Sequence, residues 1–126
     1  MSASRLRVGI AGLGRSGWNI HAKTVLGMPD QFEIAAVADK AEDRRVEAVA
    51  ACGCRAYADF ESLIENKNVD VVVVATPNFL HTAHAIAAMR AGKHVVCEKP
   101  FALATADADR MIEVADDTGR VVVGRG

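Results

Sequence analysis

Apolar positions along this chain follow two periods that take turns. Short, nearly unbroken apolar runs mark strands covered on both faces. Between them lie longer stretches in which apolar residues recur at helical spacing. The first run, Leu6 to Ala11, ends in glycines and predicts a buried strand followed by a tight turn. A helix is then expected over Ser16 to Leu26, carrying Trp18, Val25 and Leu26, with Gly27 and Pro29 as its stop. Phe32 to Ala38 is the second strand and ends at Asp39. The following helix places Val46, Val49 and Ala50 on its inner face and stops at Gly53. Arg55 to Tyr57 is a weak third strand, and Asp59 is placed to cap a short helix burying Phe60, Leu63 and Ile64.

The strongest strand signal runs from Val69 to Ala75 and contains four consecutive valines, Val71 to Val74. It ends at Thr76-Pro77-Asn78, and a helix from about Phe79 to Ala91 follows, with Leu80, Ala83 and Ala87 on one face and Gly92 as its end. His94 to Cys97 is the fifth strand. Thr105 is expected as an N-cap with Asp107 and Asp109 in the first turn, and Ala108, Met111, Ile112 and Ala115 form the apolar stripe up to Gly119. Arg120 to Val123 is the sixth strand. Strands alternating with helices predict right-handed crossovers and a doubly wound, six-stranded parallel α/β sheet of order 3-2-1-4-5-6. Ligand then belongs at the carboxyl ends of the strands, near the switch point between strands one and four.

Composition narrows the class. The 126 residues suit one domain with one core. Apolar residues make up 51% and charged residues 25%, the balance of a packed globular chain. The net charge is -1 with both signs interspersed, so no nucleic-acid surface is expected. No apolar run approaches the ~20 residues of a membrane span. Three cysteines and no secretory leader before the first strand argue for a reducing, cytoplasmic compartment. Cys52-Gly53-Cys54 lacks the spacing of a zinc or redox pair, so both thiols are read as packing residues and no metal site is expected.

The chemistry gathers at strand ends. Gly12-Leu13-Gly14-Arg15-Ser16-Gly17 follows a strand and opens a helix. Gly12 permits the turn, Gly14 leaves room for a pyrophosphate, and Gly17 lets the helix approach the strand. The amides of Leu13, Arg15 and Ser16 are then available to phosphate. Asp39 lies 22 residues after Gly17, close to the ~20 of a dinucleotide fingerprint. Its carboxylate suits an adenosine ribose and repels a 2′-phosphate, favouring NAD over NADP, whereas Lys40 and Arg44 could pair with that phosphate if Asp39 swings aside. Both cations also fit a solvated helix start. Thr76 and Asn78 suit either ribose contacts or helix capping. His81, in the first turn, suits either the ligand edge or plain exposure. His84 and His94 read as structural or solvent-facing, and His21 has no assigned role. Glu98-Lys99-Pro100 follows an apolar strand, where unpartnered charges would be costly to bury. From there Lys99 can donate a proton or hydrogen bond at a reacting carbonyl or hydroxyl.

These segments resemble the Gfo/Idh/MocA oxidoreductases, which include glucose-fructose oxidoreductase and inositol dehydrogenases. The carriers are residues 8–17, Ala-Val-Ala-Asp at 36–39, Val-Val-Ala-Thr-Pro-Asn-Phe-Leu-His at 73–81 and Ala-Gly-Lys-His-Val-Val-Cys-Glu-Lys-Pro at 91–100. The resemblance implies NAD(P)-dependent oxidation or reduction of sugars, polyols or related hydroxy compounds. It implies cofactor contacts from Ala75, Thr76, Pro77, Asn78 and His81, a shaping role for Glu98, and Lys99 as the catalytic residue beside substrate and nicotinamide. Members of the family continue into a second α/β domain that supplies substrate and oligomer contacts. This chain resembles the cofactor domain alone, over residues 1–126, which is therefore expected to bind dinucleotide without turnover and to self-associate around strand six. The competing readings are an NAD-dependent glycosidase of the same family and a non-catalytic dinucleotide-binding module. A methyltransferase shares the glycine loop but gives Glu98-Lys99-Pro100 no role.

Overall fold

A β-branched run with no polar interruption can be satisfied only between two covering layers. The computed structural model, which describes residues 5–14, 24, 27, 28, 30–98, 102 and 104–124, puts Val71–Val74 (β4) in that position, at the middle of one parallel sheet. The other strands are β1 (Leu6–Ala11), β2 (Phe32–Ala38), β3 (Arg55–Tyr57), β5 (His94–Cys97) and β6 (Val122–Gly124). Their order is β3-β2-β1-β4-β5-β6, as expected. The chain therefore reverses its direction of winding between β1 and β4. Helix α1 spans Glu42–Cys52, α2 Phe60–Ile64, α3 His81–Arg90 and α4 Thr105–Thr118. The helix expected over Ser16 to Leu26 lies almost wholly outside the described residues.

Each face of the sheet has its own apolar cluster. On one, Phe60 and Leu63 of α2, Ala85 and Met89 of α3, and Met111 and Val114 of α4 close over Val72, Val74 and Cys97. On the other, Ala48 of α1 and the loop residue Leu13 join Val8, Ile10, Ile34, Val37 and Val73. Gly9 is small for a packing reason: a Cβ there would sit 3.0 Å from the Val69 side chain and 3.1 Å from Leu63.

Several helix faces differ from the sequence expectation. The inner residue of α1 is Ala48, whereas Val46 (63% exposed), Val49 and Ala50 face outward. Arg45 turns inward to donate to the carbonyls of Asp39 and Lys40, at 2.8 and 3.0 Å, and this sets the helix rotation. On α3 the buried set is His81, Ala85, Ile86, Ala88 and Met89 rather than Leu80, Ala83 and Ala87, because a separate 3-10 turn over Asn78–Leu80 precedes the helix. Ala104, not Thr105, is the N-cap of α4, and no side chain caps it. Asp107 is the acid of that first turn, Asp109 falling beyond it. Val114 replaces Ile112 in its buried stripe. The fourth strand is shorter than Val69 to Ala75, since the Val69 amide is used in a turn to Asn66. The sixth strand begins two residues later than expected, at Val122.

The amino ends of β1, β4 and β5 are tied by polar groups that the apolar pattern did not single out. Arg7 Nε and Nη2 donate to the two carboxylate oxygens of Asp70 at 3.1 Å each. The nearly buried Lys93 donates to the Asn66 carbonyl at 2.7 Å. Burial pushes its ammonium below the ordinary lysine value. The hydrogen bond from Arg7 holds the Asp70 carboxyl below its ordinary 3.8. A depressed folded value means a stabilising contribution that is complete above 3.8 and lost as pH falls through the folded value. Asp70→Asn is expected to lower the melting temperature by about 2–4 °C at pH 7, a modest amount because the pair is partly exposed. The gap from wild type should close as thermal melts are repeated from pH 5 towards pH 2.

Candidate dinucleotide site

Four site candidates share one backbone rule: each is the first residue past its strand, held by its amide to the last carbonyl of the next strand. Gly12 donates to Ala38 at 2.8 Å, Asp39 to Tyr57 at 3.0 Å, Ala75 to Ala11 at 2.8 Å and Glu98 to Val74 at 3.0 Å. The ladder thus runs one step beyond the sheet and sets these residues along a single rim at its carboxyl edge.

At the switch point the rim is tight. Gly12 has φ +92, and a Cβ on it would lie 2.5 Å from the Ala75 carbonyl oxygen and 3.0 Å from the Thr76 nitrogen. Both facts demand glycine. Gly14 is freer: among the described residues a Cβ there would meet only Arg44 Nη1, at 3.6 Å. Leu13 is a core residue, with its side chain in the cluster beneath α1. Burying that side chain turns its amide to the second strand exit, where it donates to Asp39 Oδ2 at 2.7 Å. This amide was expected to serve phosphate, and here it is engaged by Asp39. The other carboxylate oxygen of Asp39 accepts from the Ala41 amide at 2.8 Å. Arg44, half exposed, holds its Nη1 3.7 Å from Asp39 Oδ2. Arg45 therefore serves the backbone, while Arg44 leans over the crevice between Asp39 and Gly14. Lys40 is exposed.

The strand-four loop forms the opposite wall. Asn78 begins the 3-10 turn without capping it through its side chain. Of the two roles open to it, capping is not what the structure shows. Thr76 caps nothing either. Its hydroxyl pairs with His84 Nδ1 at 2.9 Å, and its carbonyl accepts from His81 Nε2 at 2.8 Å. His81 is 1% exposed, and its ring is held against the loop by the Thr76 carbonyl. Residues 81 and 84 lie on one face of α3, a spacing at which the sequence carries two histidines. That was the available signal for this pair. Glu98 is half-buried at the end of β5. Arg15, Ser16, Gly17, Lys99 and Pro100 lie outside the described residues.

The cysteines pack. Burial pushes the Cys54 and Cys97 thiols up to about 11. Among the described residues there is no group of three potential ligands for a metal ion. No helix among them is long and apolar enough to cross a membrane.

A parallel sheet with a glycine turn at the switch point and an acid at the second strand exit defines a dinucleotide-binding Rossmann domain. The chain matches the family model described as "Oxidoreductase family, NAD-binding Rossmann fold" over residues 6–125, and it belongs to that family, Gfo/Idh/MocA. Among curated relatives, it is 46% identical over 109 residues to the myo-inositol 2-dehydrogenase of Thermotoga maritima, a match covering 86% of this chain and 32% of that protein. It is 32% identical over 117 residues to the dTDP-3,4-didehydro-2,6-dideoxy-α-D-glucose 3-reductase of Streptomyces violaceoruber, covering 93% and 34%. The crystal structure of the WlbA dehydrogenase from Chromobacterium violaceum, in complex with NADH and UDP-GlcNAcA, superposes with a TM-score of 0.92 at 27% identity, over 99% of this chain and 36% of that one. The 3-ketoreductase from Actinomadura kijaniata, with NADP and TDP-benzene, gives 0.91 at 30% identity over 97% and 37%. The chain thus spans about a third of the length of the relatives it matches.

Gly12→Ala combines a strained φ with a backbone clash and is expected to cost about 2–4 kcal/mol. Gly14→Ala meets, among the described residues, only an ordinary contact and should leave folding intact. Urea denaturation of the two variants checks the difference, and equal stabilities would contradict the close approach at Gly12.

Proposed function

We propose that this domain holds NAD in preference to NADP and serves hydride transfer to or from a sugar, polyol or related hydroxy compound. The observation that carries the cofactor preference is the Asp39 carboxylate, poised between the Leu13 and Ala41 amides at the edge of the glycine loop. A carboxylate there accepts hydrogen bonds from ribose hydroxyls and opposes a 2′-phosphate, while Arg44 beside it offsets part of the negative charge. The residues fit the cofactor: Gly12 makes the tight turn against Ala75, Gly14 leaves backbone open to a pyrophosphate, and the rim extends from Asp39 past Ala75 to Glu98. When bound, the nicotinamide accepts or donates the hydride. Arg15, Ser16 and Gly17 complete the pyrophosphate cradle. Thr76, Pro77 and Asn78 wall the nicotinamide half, with His81 supporting them from below. Lys99 follows Glu98 off strand five and is proposed to hold or release the proton at the reacting oxygen. The substrate class is supported by relatives named as inositol dehydrogenases and sugar reductases.

In the matched relatives, two thirds of the length lies outside the segment shared with this chain. Substrate contacts are proposed to come from that part. Self-association is part of the same reading, supported by Ile112, Val121 and Val123, all exposed around the edge strand β6. A reducing, cytoplasmic setting is supported by three free thiols.

Calorimetric titration of the 126-residue chain should give NADH binding tighter than NADPH. Asp39→Ser should narrow that preference by about tenfold, the equivalent of one charged hydrogen bond. Gly14→Ala should weaken both cofactors while preserving the fold. NADPH binding as tight as NADH in the wild type would overturn the Asp39 assignment. Mixed with NAD and myo-inositol, this chain alone is expected to form no NADH, as followed by absorbance.

A further inference from the structure

We propose that His84 is a positioning residue for dinucleotide binding: through Thr76 it fixes the strand-four loop that faces Gly12 across the crevice. The inference rests on the dinucleotide reading above. Thr76 is gripped twice from α3. A carbonyl can only accept, so His81 Nε2 carries the proton in its 2.8 Å bond to the Thr76 oxygen. His84 Nδ1 meets the Thr76 hydroxyl at 2.9 Å. The His84 ring is itself held, stacked on Phe60 with centroids 3.9 Å apart and planes 11° from parallel. Phe60 opens α2, whose N-cap Asp59 accepts from the Ser62 amide at 2.7 Å. The imidazole cannot swing away from Thr76 without leaving that stack.

A phenyl ring would pack on Phe60 as well as an imidazole does. What the imidazole adds is the bond to Thr76. That bond matters because the neighbouring Ala75 oxygen and Thr76 nitrogen would lie 2.5 and 3.0 Å from a Cβ at Gly12. A small shift of the loop therefore changes the width of the crevice directly. The loop lies on the far side of the glycine turn from Asp39, given the order β2-β1-β4. It governs the nicotinamide half of the cofactor rather than the adenosine half.

Protonation is not the device. Burial holds His84 below its ordinary value, opposed by Glu61 of α2, which favours the charged ring, and aided by His81 of α3, which disfavours it. A hydroxyl donates or accepts, so the bond to Thr76 survives either charge state.

The test titrates the chain with NADH and, separately, with ADP, which presents only the adenosine end. His84→Phe keeps the stack and removes the bond. It should weaken NADH by about five- to tenfold, the scale of one hydrogen bond, and leave ADP unchanged. His84→Asn, with a polar atom near the Nδ1 position, should restore most of the loss. Thr76→Val should reproduce it, and His84→Phe/Thr76→Val should be no weaker than Thr76→Val alone. NADH binding within twofold of wild type in His84→Phe overturns the proposal. So do equal losses of NADH and ADP, or losses that multiply in the double variant. If His84→Phe does not fold, His84→Leu, which keeps an apolar side chain against Phe60 and lacks the bond to Thr76, decides: selective loss of NADH supports the proposal and equal loss with ADP overturns it. A wild type that binds neither ligand removes the dinucleotide reading and this inference with it.

Discussion

The site depends on one backbone contact, the approach of the first strand exit to the fourth. At Gly12 the chain turns with φ +92 against the Ala75 carbonyl, at a distance no Cβ could share. This is the switch point of the sheet, where β1 pairs with β2 on one side and β4 on the other and a doubly wound fold opens its ligand crevice. Closing it this far brings the two loops into register. Gly12 and Ala75 are each pinned to the adjacent strand by an amide bond of 2.8 Å. The crevice floor is therefore set by the sheet and not by side chains.

From that turn the path of the glycine loop follows. Leu13 goes into the core beneath α1, and its amide has to face the rim. Asp39 meets it there, bonding at the same time to Ala41. Two amide bonds to a carboxylate of which little is exposed outweigh the contact with Arg44, a longer pair whose guanidinium is half in water. The amides fix where the carboxylate sits, and the arginine adjusts the charge around it. Organisation of the loop and the proposed selection of a ribose thus fall to one side chain.

The elements legible in the sequence were those written in apolar period or in special backbone conformations. The Val71 to Val74 run could only be a central strand, and Gly53 and Gly119 do close their helices in the left-handed conformation. Helix rotation was less legible. Val46 and Val49 looked internal, yet the inward tie of Arg45 to two carbonyls puts Ala48 against the sheet. Periodicity reports which residues share a face, but small alanines give little contrast over which face is buried, and polar ties can decide it. The same limit hid the environment of His81. Its position after Thr76-Pro77-Asn78 pointed to a candidate neighbourhood, whereas its burial depends on the preceding 3-10 turn, which no apolar pattern records.

The comparison with solved relatives separates what the fold decides from what residues decide. A dehydrogenase carrying NADH and a ketoreductase carrying NADP superpose on this chain almost equally, at TM-scores of 0.92 and 0.91. The shared backbone therefore leaves the 2′-position of the ribose open, and discrimination falls to side chains at the second strand exit. In this chain the residues proposed for that part are Asp39 and Arg44, opposite in charge and 3.7 Å apart. A phosphate would draw on the arginine and be repelled by the carboxylate. The carboxylate is the better anchored of the two, since moving it breaks bonds to both Leu13 and Ala41 and releases the loop. The proposed preference for the unphosphorylated ribose is in this way tied to the order of the glycine loop itself.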